Sequence, residues 1–261
     1  MGNVVHVDEK RFYVCDVKQW FYARDDEPAP IRQVQHKNDI TRVMFLRVVG
    51  QPRRNTSNNS EFSGKIRIYP STVQERAQRN SRNRAAGTVV TKTVEVTKAR
   101  YKKMMLVIPD MKLRFLRPPA AATGQRPPHL INDDPELRAA MAADGWDIRL
   151  INPPANSPDT NILDLSFFNS IQSLQDRTTP RSVDDLVKAV KEAWQKDPPA
   201  VLNRVWLSLQ ACLEQIMLAG GDNDYKSPHM RKGRLENAGT LPWQTKCKEE
   251  AWEKGVAALA E

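Results

Sequence analysis

The sequence predicts an α/β protein: a sheet assembled mainly before residue 152, flanked by helices and followed by a helical C-terminal part. Three observations point there. Strand-type runs rich in Val, Ile, Phe and Tyr occupy residues 3–14, 43–50 and 62–69, with a shorter one at 147–152. Two long apolar-periodic segments with helix caps cover 182–196 and 199–219. At 261 residues and 40% hydrophobic content, the chain is long and apolar enough for one sizeable core with a helical appendage. The expected division is an α/β core over residues 1–175 and a helical extension over 176–261.

Composition narrows the partners. A net charge of +9 and a pI near 9.5 point to an anionic partner, of which nucleic acid is the commonest, or else to a solvated basic surface. Cys15, Cys212 and Cys247 are odd in number and widely spaced, which fits neither a disulfide framework nor a zinc pattern and suggests a reducing compartment. No secretory leader or apolar run of membrane length is present, and mean hydropathy is −0.60, so no membrane partner is expected.

Each element has its own justification. Residues 3–14 alternate with period two, placing Val5 and Val7 on one face and Val4, His6 and Asp8 on the other. Asp8 and Glu9 read either as a polar turn or as acids able to hold a metal at a sheet edge. Residues 19–23 and 43–50 are further strands, the second apolar enough to be central. Residues 51–61 suit an exposed hairpin tip before the strand at 62–69. From 76 to 103, Arg76, Arg79, Arg82, Arg84, Lys92, Lys98, Arg100, Lys102 and Lys103 face only Glu75 and Glu95. That segment is either a solvated loop or a grip on phosphates. A helix is expected over 98–116 and another over 133–145, the latter with Asp133 and Asp134 at its positive end. Residues 243–261 read as an exposed helix.

The most unusual stretch is 156–168, Asn-Ser-Pro-Asp-Thr-Asn-Ile-Leu-Asp-Leu-Ser-Phe-Phe. Asp159 or Thr160 can cap a helix in which Asp164 is a lone acid among Ile162, Leu163, Leu165, Phe167 and Phe168. Such an acid either complements the helix dipole or serves chemistry. Asn-Ser-Pro-Asp, Asn-x-Leu-Asp and the following Phe-Phe-Asn-Ser-Ile-Gln-Ser-Leu-Gln resemble the third catalytic block of mariner-like transposases of the plant and oomycete type. His-x-Asp-Glu-Lys-x-Phe-Tyr around Asp8 resembles the first block, and Phe-Ser-Gly-Lys-Ile at 62–66 is similar to a hairpin of the same family.

The resemblance implies an RNase H-like fold and three carboxylates holding two Mg2+ (or Mn2+) ions for phosphodiester cleavage and strand transfer. Asp8 and Asp164 match the first and third acids. The second falls on Gly124, counting back from His129, with the 39 residues to Asp164 that the subgroup's spacing requires. An apolar strand is expected to be lost over 116–128, and Asp133 or Asp134 is a weak candidate to replace the acid. The codons for residues 123–127 can be chosen so that a neighbouring frame reads Gln-Asp-Asn-Ala. Compensating frame changes would then explain Gly124, and the gene sequence tests this.

The expected function is therefore a transposase-derived DNA-binding and DNA-processing domain, impaired in catalysis. The alternative is an active Mg2+-dependent enzyme using a substitute acid. Arg76, Arg79, Arg82, Arg84, Lys98, Arg100, Lys102 and Lys103 are the candidate DNA contacts. The family's N-terminal helix-turn-helix is not expected here, since the chain begins seven residues before Asp8, so binding should lack sequence specificity. A nuclear location and a homodimer are further implications. A separate RNA-binding reading rests on Phe12, Tyr13, Phe21 and Tyr22 as exposed sheet aromatics.

Overall fold

The computed structural model describes residues 4–14, 26, 40–55, 60–82, 84–106, 120–124, 134–143, 148–151, 153–154, 157–167, 180–222, 224–226 and 228–259. The expected strand at 19–23 lies outside them. Strands in chain order are β1 (Val4–Tyr13), β2 (Arg42–Gly50), β3 (Arg53–Asn55), β4 (Ser60–Phe62), β5 (Lys65–Pro70), β6 (Thr72–Arg76), β7 (Val89–Thr93), β8 (Ala120–Gly124) and β9 (Ile148–Ile151). The helices are α1 (Lys98–Met105), α2 (Pro135–Ala142), α3 (Val183–Lys196), α4 (Pro199–Leu218), α5 (Lys232–Asn237) and α6 (Glu249–Ala258).

Five strands form one mixed sheet in the order β5-β2-β1-β8-β9. β1 is antiparallel to β2 and β2 to β5, whereas β1–β8 and β8–β9 are parallel. The alternation of β1 is used as expected. Val5 and Val7 join Leu46 and Val48 of β2 beneath α1 and α2, where Tyr101, Met105, Leu137 and Met141 complete one buried cluster. Phe12, Val43, Phe45 and Val49 face the other way, against Leu186, Val190 and Trp194 of α3 and Leu202, Val205, Trp206 and Leu209 of α4. Helices α3 and α4 thus bury their apolar sides in a core shared with the sheet.

Two expectations need correction. A strand does form before position 124: β8 is built from Ala-Ala-Ala-Thr-Gly and is laddered on both sides, to β1 and to β9. Pairing satisfies backbone N–H and C=O groups whatever the side chains, so a central position sustains a strand that alanine and glycine do not advertise. The basic segment is not one long loop either, since β6 and β7 pair as a hairpin from Thr72↔Thr93 to Arg76↔Val89. Its end is ordered locally by an Asn80 Oδ1 that accepts from Ala86 N at 2.7 Å, and by Gly87 at φ 84°. Lys98 to Met105 is helical, capped by Thr97, while 107–119 lies outside the described residues.

Two local devices tie the C-terminal helices to the sheet. Gly64, at φ 82°, turns the chain from β4 to β5, and a Cβ there would sit 2.5 Å from both Gly50 O and a Leu202 methyl. Next to it, the Lys65 ammonium donates to the carbonyls of Trp194, Gln195 and Asp197, at 2.7, 3.1 and 2.7 Å, closing the C-terminal end of α3. The Phe-Ser-Gly-Lys stretch is thereby a packing joint. The C-terminal helix α6 is less exposed than expected: it packs on α4, with Ala251 fully buried and Gly255 against Met217.

Candidate functional site

Asp8 lies mid-strand in β1, on the face opposite Val5 and Val7, and is 8% exposed. Asp164 comes from the segment after β9. There Pro158–Thr160 makes a short 3-10 turn, and Leu163–Phe167 makes a single π-helical turn. Ile162 and Leu163 are fully buried in the core, which anchors that turn and leaves Asp164 at the surface side. The two acids meet, and their carboxyl groups share a hydrogen bond, which requires one of them to hold a proton. Both are raised above the usual carboxylate range. Burial is the main cause for each, and the charge of Asp164 adds to the effect on Asp8.

A polar frame surrounds the pair. Asn161 is 1% exposed; its Nδ2 donates to Asp8 Oδ2 at 2.9 Å, and its Oδ1 accepts from Leu163 N at 3.1 Å. The side chain capping the turn is therefore Asn161, not Asp159 or Thr160; the Thr160 hydroxyl donates to Ser157 O instead. One amide thus starts the Asp164 turn and fixes the rotamer of Asp8. His6, two residues before Asp8 on the same face, hydrogen-bonds Asn161 and meets Trp206 edge to face at 5.1 Å. Burial pushes its imidazole down to about 4, so it is neutral at ordinary pH. The Trp206 indole N–H donates to Gly50 O at 3.2 Å.

Directly across from Asp8 in the β1–β2 register stands Arg47, fully buried, its guanidinium 4.8 Å from the Phe12 ring. Burial lowers it to about 9, against the attraction of Asp197 and Asp8. Sequence reasoning passed over both Asn161 and Arg47. Asn161 had a signal, a good cap residue two positions before the helical run; Arg47 had only its place in an otherwise apolar strand.

Gly124 falls at the end of β8, registered beside Val7. Registered partners in a parallel ladder share a face, so position 124 belongs to the Val7 side of the sheet and not to the Asp8 side. The next residue, Gln125, lies outside the described residues. Asp134 caps α2 through Leu137 N and pairs with Lys102 at 2.9 Å, so it is occupied structurally; Asp133 lies outside the described residues. Among the described residues, no group of three His, Cys, Asp or Glu side chains gathers as a metal cage would. The donor set is two hard carboxylates holding one excess proton. That suits part of the shell of a divalent cation such as Mg2+.

The basic candidates divide. Arg76 ends β6, and Arg79, Arg82 and Arg84 lie at the exposed end of the β6–β7 hairpin. Lys98 and Lys103 are exposed on α1, but Arg100 donates to Thr72 O at 2.7 Å, and Lys102 is held by Asp134 and Glu136. Phe12 is fully buried, which removes it from any aromatic binding face; Tyr13 is exposed, and 21–22 lies outside the described residues.

The mixed five-stranded sheet with helices on both faces is an RNase H-like fold, similar in structure to solved transposase complexes. Solved structures similar to this chain include complexes of the Mos1 transposase. A pre-cleavage Mos1 transpososome matches with a TM-score of 0.57 at 15% identity, over 86% of this chain and 57% of that one. The Mos1 strand transfer complex matches at 0.56 and 16%, over 86% and 56%. The Mos1 mariner paired end complex with Mn matches at 0.57 and 16%, over 85% and 57%. The chain thus spans little more than half the length of these proteins. No protein-family description matches the sequence, and neither does any curated protein.

Proposed function

We propose that this chain is a transposase-derived DNA-binding domain whose cleavage centre retains two of its three acids. The observation that carries the reading is the meeting of Asp8 and Asp164, brought from positions 156 residues apart and held by the Asn161 amide. Structural neighbours that are transposase complexes with transposon ends support the DNA-processing class.

In this reading Asp8 and Asp164 are the residues that would hold Mg2+ or Mn2+. The bound cation would supply Lewis-acid activation of a water or 3′-hydroxyl and charge stabilisation at the leaving oxygen. The chain's own contribution is positioning. Asn161 donates to Asp8 Oδ2 and the Glu9 N–H donates to Oδ1 at 2.7 Å, so both oxygens are oriented by neighbours, and the buried Arg47 limits the negative charge at the centre. With glycine at 124 and glutamine at 125, the end of β8 supplies no third carboxylate, and cleavage is impaired by several orders of magnitude. Binding to DNA, without sequence preference and in the nucleus, is the activity expected to remain.

Nicking of supercoiled plasmid in Mg2+ and in Mn2+ tests this, using the unmodified chain beside Asp8→Ala, Gly124→Asp and Gln125→Asp. The expected result is no cutting by the unmodified chain and gain of cutting in one of the two acid-restoring variants. Gly124→Asp tests the position given by the motif spacing, and Gln125→Asp tests its neighbour in the chain. Cutting by the unmodified chain that Asp8→Ala abolishes would overturn the impaired reading in favour of an enzyme with a substitute acid.

A further inference from the structure

On the sheet face opposite Asp8, a cleft of about 340 Å³ opens between the β1–β2 ribbon and the segment linking β7 to α1. Its charged walls are Arg11 and Arg42 on one side and Glu95 on the other, with Met44 and the 93–96 backbone between. Arg11 is registered with Met44, and Tyr13 with Arg42, so the two arginines are diagonal neighbours on one face. Long side chains so placed are within reach of a common small anion. Neither guanidinium takes a hydrogen bond or salt bridge among the described residues.

We propose that Arg11 and Arg42 form a phosphodiester-binding subsite that takes one backbone phosphate of nucleic acid. Two forked guanidiniums are the donors best matched to phosphate oxygens. The class of phosphate follows from the nearby acids. Glu95 on the far wall, and Glu9 interacting with Arg11 from the same face of β1, offset much of the two guanidinium charges, which favours a singly charged diester over a phosphomonoester or free phosphate dianion. Position supports the same ligand: the cleft wall continues on one side into the hairpin bearing Arg79, Arg82 and Arg84, and on the other into α1 with Lys98 and Lys103. A strand gripped by the hairpin passes the cleft mouth. The inference rests on the DNA-binding reading above and adds a contact site on the face away from the acids.

Fluorescence anisotropy of a short labelled duplex of arbitrary sequence, titrated with the full chain over a series of salt concentrations, separates the possibilities. The expected result is that Arg11→Gln/Arg42→Gln weakens binding on the order of fivefold and lowers the salt slope by about one, as loss of one phosphate contact should. Glu95→Gln should make inorganic phosphate a better competitor. An unchanged affinity and slope in the double variant, with Arg79→Gln/Arg82→Gln/Arg84→Gln still weakening binding, would overturn the subsite and leave the DNA reading standing. Failure of the unmodified chain to bind at low salt would remove both. Melting curves check folding, and if the Gln pair is destabilised, Arg11→Lys/Arg42→Lys replaces it. The lysine pair keeps the charge and loses the fork, so unchanged binding there would point to bulk electrostatics and overturn the subsite.

Discussion

Asn161 shows how one side chain joins two parts of the chain that have no covalent reason to be near each other. Its amide spends both ends, one on Asp8 and one on the backbone that starts the Asp164 turn. Replacing it by alanine removes the link without adding charge. Asn161→Ala should weaken Mn2+ binding, followed by paramagnetic broadening or calorimetry, by roughly 10- to 100-fold, the usual loss when a ligand's hydrogen-bonding partner is removed. Unchanged affinity would mean that Asp8 is held by its strand alone. The acids also set a pH dependence. Glu9, half-buried on the face opposite Asp8, is pushed up to about 7 by burial, so its contribution to stability is complete below its ordinary 4.5 and is lost as pH rises through 7. The Asp8–Asp164 pair acts in the same direction. His6 opposes them: its neutral form is the buried one, and stability is lost as pH falls from 6.5 toward 4. Above pH 6.5 only the carboxyl groups act, so the melting temperature in EDTA should fall from there upward, and Glu9→Gln should flatten the fall.

Among the elements, the turn at Gly64 and the adjoining lysine make the clearest case. A methyl group at 64 meets both a backbone carbonyl and Leu202, in a backbone conformation that L side chains resist. Gly64→Ala should destabilise the chain by about 2–4 kcal/mol in chemical denaturation, combining left-handed strain with overpacking. A loss below about 0.5 kcal/mol, the scale of an ordinary surface change, would show that the joint is loose. Trp206→Ala should cost about 3–5 kcal/mol, since it opens the core between sheet and α4 and strands the Gly50 carbonyl.

What the sequence disclosed is explained by the same physics. β1, β2, α3 and α4 were legible because apolar periodicity and caps announce them, and their predicted bounds lie within about two residues of those observed. β8 was illegible because three alanines, a threonine and a glycine carry no strand signal; its neighbours on both sides supply the pairing. The β6–β7 hairpin was hidden by its composition, since arginine, asparagine and serine mark a loop in any window read alone. Asp8 and Asp164 could be singled out from their motifs. The Asn161 bridge and the Arg47 opposite Asp8 are products of register and turn geometry.

At the scale of the whole molecule, charge and fold divide the labour. The sheet separates a face carrying Asp8 and Asp164 from a face carrying Arg11 and Arg42, while the arginine hairpin reaches out at the side. If DNA is held mainly by that hairpin, Arg79→Gln/Arg82→Gln/Arg84→Gln should reduce the salt slope of binding by up to about three, with little change in melting temperature because the three side chains bury no core. A large shift in melting would instead give the hairpin a structural part.

The hydrogen bond between the two carboxyl groups has a thermochemical consequence. A dication held by Asp8 and Asp164 would have to displace the proton that the raised pair retains, so metal uptake would be accompanied by acid release. The uptake of Mn2+ should then become more exothermic in proportion to the ionisation enthalpy of the buffer, from a weakly coordinating buffer of low ionisation enthalpy to Tris, and the gradient of that line counts the protons set free.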